Sequence, residues 1–481
     1  MSDRVKPRIS RGLRDLLPRP LLARQWMIET IRSVYERYGF LPLETPAVEY
    51  LDVLLGAHPG GEATRSIFTV SNPEQEALGL RFDLTVPLAR VIAQHKQNLT
   101  RPFRRYQVAP VWRGDKPDKG RFREFMQFDL DSVGTRAPLA DTEILAGMCD
   151  TLRALGVPSF RVRYSSRGLL EVLLAFAGIP APRGAEIFRV LDKLDKAGMD
   201  KVKLELGEGY VDASGDPIRG LGLEPSQVMR IEKYLTIASD CRGATLEALE
   251  ALFDKIDGSV GALKAVRDID RQLEVLGYGD DQVALDPSIA RGLAYYTGPV
   301  FEAVLPDAPQ FGSVFGGGRY DGLVARFSGE AVPAVGASIG VDRLLAALQH
   351  LDALRAPRAT AQVLVTRMDR RWDDEYLALT FALRRAGINT ELYLGNAKSV
   401  GKQLKYADRW EIPLAVLCGE DERARDVVQL KDMDAGRRQA QAIDGRDAWL
   451  AARPGQREVP RADLIATVRA LLAQIAETPA P

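Results

Sequence analysis

Residues 104–131 have the sequence RRYQVAPVWRGDKPDKGRFREFMQFDLD. Apolar and polar residues alternate on both sides of its charged central loop, with the period of two that is typical of β-strands. In the second half, one strand face carries Met126, Phe128 and Leu130, and the other carries Gln127, Asp129 and Asp131. The stretch therefore predicts a long antiparallel hairpin with an apolar back and a polar front, its strands running from Arg104 to Arg113 and from Arg123 to Asp131.

The same hairpin is rich in cations. Its six arginines and two lysines are Arg101, Arg104, Arg105, Arg113, Lys116, Lys119, Arg121 and Arg123. Guanidinium groups stay charged and bind phosphate oxygens in pairs, so the cluster indicates a phosphate clamp. A solvated hairpin with an ordinary charged loop is the alternative. The polar front favours the clamp, because a pocket for a small polar ligand would be built there, although a solvated strand face also alternates in this way.

Length and composition limit the remaining possibilities. At 481 residues the chain is long enough for roughly three domains. Equal numbers of basic and acidic residues, 65 of each, exclude a polycationic tail protein. Three histidines and three cysteines, far apart in the sequence, do not form a zinc cluster, a Cys/His nucleophile pair or a disulfide framework. Any catalysis must therefore use arginine, carboxylates, tyrosine, amides and a metal that the ligand brings.

Hydropathy indicates a protein without membrane spans. The N-terminal residues 1–7 lack the apolar core of a signal peptide, and no stretch approaches 18 apolar residues. We therefore expect a soluble protein of the reducing cytoplasm.

Several other segments carry a clear pattern. Residues 20–39 have helical spacing, with Gly39 at the expected end, and residues 40–46 form a strand interrupted by prolines that should lie at a sheet edge or an interface. Residues 81–85 lead into a helix with Pro87 in its first turn. Amphipathic helices dominate from about 150 to 280 and predict an inserted helical module. A turn is expected at 316–320, and a strand that passes into a helix at 335–345.

After residues 355–358 the pattern changes. Strands at 363–366, 389–393 and 414–417 alternate with helices at 374–385 and 400–409, and a last helix covers 462–475. Such alternation predicts a small α/β domain with a parallel or mixed sheet.

Further residues are candidates for ligand binding, although a purely structural role can also explain several of them. Asp83 and Thr85 either cap a helix or bind a ligand. Gly336, Ser338 and Gly340 do not have the spacing of a dinucleotide fingerprint, but small residues on a strand allow a flat base to lie against the backbone, with Arg343 at the next helix start. The tyrosines that follow glycine-bearing turns belong either to a pocket or to the core: Tyr295, Tyr296 and Tyr320.

Taken together, these segments resemble the histidyl-tRNA synthetases, a family of class II aminoacyl-tRNA synthetases. The resemblance covers nearly the whole chain. The matching motifs are residues 11–15 (RGLRD), the Pro46 strand, residues 113–121 (RGDKPDKGR), 127–131, 291–298 (RGLAYYTG), 316–322 (GGGRYDG) and 336–343.

The resemblance implies an α+β fold. Its catalytic domain, residues 1–355, is a class II antiparallel sheet with a helical insertion at about 165–275, and residues 356–481 form a C-terminal α/β anticodon-binding domain. It also implies a homodimer, with the Pro46 strand and the preceding helix in the interface.

The resemblance assigns roles to individual residues. Arg113, Asp115, Arg121 and Arg343 would bind ATP. The histidine-binding set would be Asp83, Thr85, Gln127, Asp131, Arg291, Tyr295, Tyr296 and Tyr320, with Asp131 and Tyr296 on the two imidazole nitrogens. Arg291 and Arg113 would be catalytic at the α-phosphate. The chain departs from the family pattern at Ala294, where Asp is usual, at Gly114-Asp115 in place of His-Glu, and at Asp83 and Asp131, which are shorter than the common Glu.

The implied activity is that of a histidine–tRNA ligase. Histidine and ATP would give histidyl-adenylate and pyrophosphate, and the histidyl group would pass to the 3′-terminal adenosine of tRNA(His), leaving AMP. Mg²⁺ would come with ATP, without a metal site on the protein. For the anticodon, Arg367, Lys398, Lys402, Gln403 and Lys405 are candidate contacts, the alternative being solvated charges on a helix.

Two other classes of function compete with the ligase. One is a catalytically silent relative that regulates ATP phosphoribosyltransferase, which usually lacks the C-terminal domain and the ATP-binding arginines. The retained arginines and the residues beyond Arg358 favour the enzyme. The other is an RNA-binding sensor that kept the fold without the reaction.

Overall fold

A computed structural model describes residues 5–56, 66–212, 215–290, 296–357, 359–396, 399–435 and 455–477. The chain divides into two compact units. One unit comprises Met1–Asp15 and Met27–Leu354, and the other comprises Leu16–Trp26 and Arg355–Pro481.

The first unit is built on a large sheet. The strands of the whole unit are β1 (Leu41–Pro42), β2 (Val48–Tyr50), β3 (Thr69–Val70), β4 (Leu78–Leu80), β5 (Phe103–Trp112), β6 (Glu124–Val133), β7 (Arg161–Ser166), β8 (Gly209–Val211), β9 (Pro217–Arg219), β10 (Val283–Leu285), β11 (Pro299–Val304), β12 (Phe315–Arg319) and β13 (Ala334–Gly340). Within the described ranges, eight of these form one sheet in the order β1-β5-β6-β13-β12-β11-β7-β10. Its pairs are antiparallel except β1 with β5 and β7 with β10, which are parallel.

Helices cover much of the rest of the chain. In chain order they are α1 (Pro18–Arg37), α2 (Leu51–Leu55), α3 (Thr85–Gln94), α4 (Pro138–Ala154), α5 (Arg167–Ala177), α6 (Gly184–Leu191), α7 (Leu194–Ala197), α8 (Met199–Leu206), α9 (Pro225–Leu235), α10 (Arg242–Leu252), α11 (Ser259–Val275), α12 (Ala325–Ser328), α13 (Val341–His350), α14 (Asp373–Arg385), α15 (Val400–Arg409), α16 (Glu420–Ala424) and α17 (Leu464–Glu477).

Strands β5 and β6 are the hairpin that the sequence predicts. They pair antiparallel from Phe103 opposite Val133 to Trp112 opposite Glu124, which places Arg105 opposite Asp131. On the apolar back, Phe128 and Leu130 are fully buried and Met126 is partly buried. The polar front is buried as well, since Asp129 and Asp131 are only 2 % and 3 % exposed. A solvated strand face, the alternative for this pattern, is therefore excluded.

The glycine-rich stretch at 316–320 is not a turn, so that prediction is wrong. Residues 315–319 are strand β12, which pairs with both β11 and β13. Strand β13 lies so close that a Cβ on Gly317 would come 2.2 Å from the carbonyl oxygen of Gly336. The glycines here meet a packing requirement of the sheet rather than a turn geometry.

The other predictions for the first unit agree with the structure in outline. Strand β1 lies at the edge of the sheet as expected, although it is only two residues long. The strand at 335–345 passes into α13 at Val341. Between β7 and β10, helices α5 to α11 form the helical region, in which α5 is capped by the Ser166 hydroxyl and followed by left-handed Gly178.

The second unit has a mixed sheet. Its strands are β14 (Val363–Val365), β15 (Thr390–Leu392), β16 (Leu414–Leu417), β17 (Val427–Asp432) and β18 (Gln456–Pro460), in the order β15-β14-β16-β17-β18. Strands β14, β15 and β16 are parallel, whereas β17 and β18 are antiparallel. The alternation predicted from the sequence is confirmed. None of the helices in the described part of the chain is both long and apolar enough to cross a membrane.

Candidate active site

A cavity of about 390 Å³ opens over the polar front of β6. Predicted site residues from several separate segments line it: Asp83, Thr85, Arg113, Asp115, Arg121, Gln127, Asp131, Tyr296, Tyr320 and Arg343. Two other predicted residues, Arg291 and Tyr295, lie outside the described residues, as does Ala294. The fold thus brings together residues that are up to 260 positions apart, from Asp83 to Arg343.

One side of the cavity, which we name the carboxylate wall, consists of Gln127, Asp129, Asp131 and Tyr320. The Tyr320 hydroxyl donates a hydrogen bond to Oδ1 of Asp131. On the other oxygen, Oδ2, Nη2 of Arg105 lies at 2.8 Å. Asp131 therefore accepts a hydrogen bond on Oδ1 and forms an ion pair on Oδ2, and both partners are buried, which restrains the orientation of the carboxylate.

The acid–base properties of this wall follow from burial. Burial raises the pKa of Asp131, and Arg105 and Tyr320 act against that rise. For Asp129, burial raises the pKa to about 7, with Arg105 opposing and the like charge of Asp131 adding to the rise. Burial also raises the pKa of Tyr320 well above its usual range, so the phenol stays protonated and donates.

Gly336 provides the space for this arrangement. It pairs with Asp131 across β13 and β6. A Cβ at position 336 would lie 1.8 Å from Oδ1 of Asp131, an impossible contact. The small residue at this position accommodates the carboxylate, a role that sequence reasoning did not foresee. Nearby, the Gln127 amide donates to the Ser338 hydroxyl.

Asp83 caps a helix and also lines the cavity. Its Oδ1 accepts a hydrogen bond of 3.1 Å from the backbone amide of Val86, so it caps the start of α3. It also lines the cavity with Thr85, the first residue of that helix. Burial raises the pKa of Asp83, and the Val86 amide and Arg113 oppose the rise.

A second group of lining residues, which we name the arginine wall, consists of Arg113, Lys116, Arg121 and Arg343. Nε of Arg113 donates to the Phe82 carbonyl at 2.9 Å, and its guanidinium lies 5.2 Å from the centre of the Phe125 ring. Nη1 of Arg343 donates to the Ser313 carbonyl at 2.6 Å. At the rim, Asp115 accepts a hydrogen bond of 3.1 Å from the Ser66 hydroxyl.

The prediction of a phosphate clamp includes too many residues. Only three of the eight cations line the cavity: Arg113, Lys116 and Arg121. Adjacent strand residues point to opposite faces, so Arg104 faces away and pairs with Glu143 at 2.7 Å. The Arg123 guanidinium donates to the carbonyls of Arg11 and Asp115. Arg105 lies on the cavity side but is fully buried against the carboxylates.

The sequence analysis did not identify the place of two residues, Arg105 and Asp129, in this site. Arg105 was grouped with the phosphate-binding cations, and Asp129 received no role. A signal for both was available, because pairing the predicted hairpin strands places Arg105 opposite Asp131 and Gln107 opposite Asp129. The sequence pattern does not show how deeply the pair is buried.

The candidate anticodon contacts in the second unit fall into two groups. Gln403 is buried and exchanges hydrogen bonds with the backbone of Arg367, and the Arg367 guanidinium pairs with Asp373. The prediction of Gln403 as a surface contact is therefore wrong, because its amide is used inside the domain. Lys402 and Lys405 are exposed on α15, and Lys398 lies outside the described residues.

Comparison with known proteins identifies the family. The chain shares its fold with the crystal structure of a histidyl-tRNA synthetase from Nostoc sp. PCC 7120, at a TM-score of 0.81 and 32 % identity over 97 % of this chain and 100 % of that one. An ATP phosphoribosyltransferase regulatory subunit/histidyl-tRNA synthetase from Bacillus halodurans has a TM-score of 0.67 at 23 % identity, covering 84 % of this chain and 97 % of that one, and so shares the fold. The fold and the cavity on its antiparallel sheet define a class II aminoacyl-tRNA synthetase.

Sequence relatives specify which class II family it is. Residues 12–344 match the profile of the histidyl-tRNA synthetases, and residues 362–470 match an anticodon binding domain. A histidine–tRNA ligase from Ruegeria sp. (strain TM1040) is 44 % identical over 493 residues, which cover 98 % of this chain and 97 % of the relative. The chain belongs to the histidyl-tRNA synthetase family.

Proposed function

We propose that the cavity over β6 is where this histidine–tRNA ligase binds histidine and ATP and joins them. The observation that carries the proposal is the placement of a buried carboxylate wall and an arginine wall in a single cavity. A carboxylate with a phenol suits the two nitrogens of an imidazole ring, and guanidinium groups suit phosphates.

The histidine side chain would lie against the carboxylate wall. Asp131 and Tyr296 would bind the imidazole nitrogens, with Tyr295 and Tyr320 beside them, and Asp83, Thr85 and Gln127 would bind the α-ammonium group. A buried polar pocket of this kind rejects apolar side chains of similar shape by roughly 10⁴-fold, because they leave its polar groups unpaired.

ATP would lie along the arginine wall. Arg113 would hold the α-phosphate, Asp115 the adenine amino group, and Arg121 and Arg343 the outer phosphates, while Arg291 would act at the α-phosphate as the second catalytic cation. The histidine carboxylate attacks this phosphorus in line with the departing pyrophosphate. The attacking group is already ionised, so the step needs positioned cations rather than a general base.

We propose that Mg²⁺ enters with ATP. Among the described residues, no group of three or more His, Cys, Asp or Glu side chains could hold a metal ion. Bound to the phosphates, the ion would neutralise charge on the pyrophosphate as it leaves.

The second step would transfer the histidyl group to the 3′-terminal adenosine of tRNA(His) in the cytoplasm, with the second unit binding the anticodon.

We also propose a homodimer. It is supported by exposed apolar side chains on and near the edge strand β1, since Leu41 and Tyr50 are 61 % and 51 % exposed. Sedimentation of the purified protein would test the assembly.

The regulatory alternative is not favoured. The curated histidine–tRNA ligases match nearly the full length of the chain, including its second unit. The Bacillus halodurans protein, at 23 % identity, supports the fold alone.

Exchange of labelled pyrophosphate into ATP by the purified protein tests the proposal directly. We expect exchange that requires both histidine and Mg²⁺, followed by charging of tRNA(His). Absence of exchange at saturating histidine, with the protein folded, would contradict the enzymatic function and leave the regulator or the RNA-binding sensor.

A further inference from the structure

Arg105 lies in the sheet, beneath the ligand cavity. Its side chain is 0 % exposed. Nη2 lies 2.8 Å from Oδ2 of Asp131 and 3.9 Å from Oδ2 of Asp129, and it also donates to the Leu84 carbonyl at 3.1 Å. One nitrogen of a fully buried guanidinium thus faces two carboxylates of the carboxylate wall.

This arrangement is unbalanced in charge. Two carboxylates and one guanidinium share the same buried space, and a buried ion that loses its partner costs several kcal/mol. Arg105 therefore opposes protonation of both acids. Among the described contacts, Arg105 is the residue of β5 that forms an ion pair with Oδ2 of Asp131, while the Tyr320 hydroxyl donates to Oδ1.

We propose that Arg105 is a positioning residue for histidine binding, which holds Asp131 ionised and in a fixed orientation at the floor of the cavity. The inference rests on the proposed function of this cavity. Arg105 would act through Asp131 without touching the substrate.

The neighbouring residue provides a matched control. Arg104 belongs to the same strand but points to the other face, where it pairs with Glu143 at 2.7 Å and lies 4.5 Å from the centre of the Phe40 ring. Its removal also deletes an arginine from β5, without changing the carboxylate wall.

The experiment compares the KM values for histidine and ATP in pyrophosphate exchange by Arg105→Met, Arg105→Lys and Arg104→Met. We expect Arg105→Met to raise the histidine KM by about 10- to 100-fold, since the aspartate loses a charged partner. Arg105→Lys keeps the charge and should raise it by about 3- to 10-fold, which also provides a folded variant if the methionine protein does not fold. The ATP KM should stay within about twofold, and Arg104→Met should change neither value.

The pH dependence separates positioning from a merely structural role. Without the guanidinium, the pKa of Asp131 rises further, so a larger fraction of the carboxyl group is protonated at low pH than at high pH. The ratio of the variant KM to the wild-type KM for histidine should therefore fall from pH 6.5 to pH 9. Taking this ratio cancels the titration of histidine itself. Among the described residues, the other titratable groups that interact with Asp131 or Asp129 are Tyr35, Arg81, Asp83 and Tyr320, and Tyr296 lines the same cavity.

Two results would overturn the inference. One is a folded Arg105 variant whose histidine KM stays within twofold of wild type. The other is a rise that is equal for histidine and ATP and independent of pH, which indicates loss of structure. In either case the wild-type enzyme still shows histidine-dependent exchange, whereas failure of the proposed function itself would abolish exchange in the wild type.

Discussion

Compared with the arginine wall, the carboxylate wall is far more deeply buried. Asp129 and Asp131 lie within strand β6, only 2 % and 3 % exposed, and their partners come from the neighbouring strands and from Tyr320. Arg121 and Lys116 lie in the loop of the hairpin and are exposed, and Arg113 follows the end of β5.

This difference in burial fits the two binding roles proposed above. A pocket whose polar groups are fixed before the ligand arrives selects one side chain, because a wrong ligand leaves those groups unpaired. Cations on loops and strand ends can follow a triphosphate whose charge changes during the reaction. We therefore expect substitutions on the carboxylate wall to change histidine KM, and substitutions on the arginine wall to change the rate and the use of ATP.

The largest effect is expected from Arg113→Ala on the arginine wall. Loss of a cation that we propose holds the α-phosphate should lower the rate of histidine activation by about 10²- to 10³-fold, with the histidine KM within a few-fold of wild type. Single-turnover formation of histidyl-adenylate measures the rate. Lys119→Ala is the control, because Lys119 is an exposed cation of the same loop that does not line the cavity. A large rise in the histidine KM of Arg113→Ala would contradict the proposal that the arginine wall binds ATP and the carboxylate wall binds histidine.

On the carboxylate wall, Asp131→Asn should raise the histidine KM by about 10- to 100-fold, because a charge-assisted bond to the imidazole becomes neutral. The maximal rate should change much less. Pyrophosphate exchange over a range of histidine concentrations measures both values. An unchanged KM would place the side-chain pocket elsewhere.

The contrast between the walls also explains what the sequence can predict. Alternation in residues 104–131 was sufficient to predict the hairpin and its polar front, because successive side chains in a strand point to opposite faces. It was not sufficient for the role of Arg105 or the need for Gly336, since both depend on how closely β5, β6 and β13 pack. Glycines at 316–318 were misjudged for the same reason, because close packing between strands and a turn both favour glycine.

A smaller effect is expected from Tyr320→Phe, which keeps the ring in its buried position and removes only the hydroxyl that donates to Asp131. Loss of one hydrogen bond should raise the histidine KM by about 2- to 10-fold. Steady-state exchange measures the change, and an unaltered melting temperature would show that the fold is intact. A rise as large as that of Asp131→Asn would mean that Tyr320 contacts the ligand directly.

The smallest effect concerns stability and distinguishes the walls without any ligand. Burial raises the pKa of Asp129 to about 7, above the value of about 3.9 in an unfolded chain. Between these values the folded state binds more protons, so the wild type loses stability as the pH rises through this window. Asn at this position does not titrate. The melting temperature of Asp129→Asn relative to wild type should therefore increase by a few degrees, about 2–6 °C, from pH 5 to pH 8. Asp118→Asn, in the exposed loop, should show a constant difference. A constant difference for Asp129→Asn as well would mean that Arg105 fully offsets the burial of this carboxylate. Ionisation of Asp129 would then not destabilise the folded protein, and the two walls would not differ in this respect.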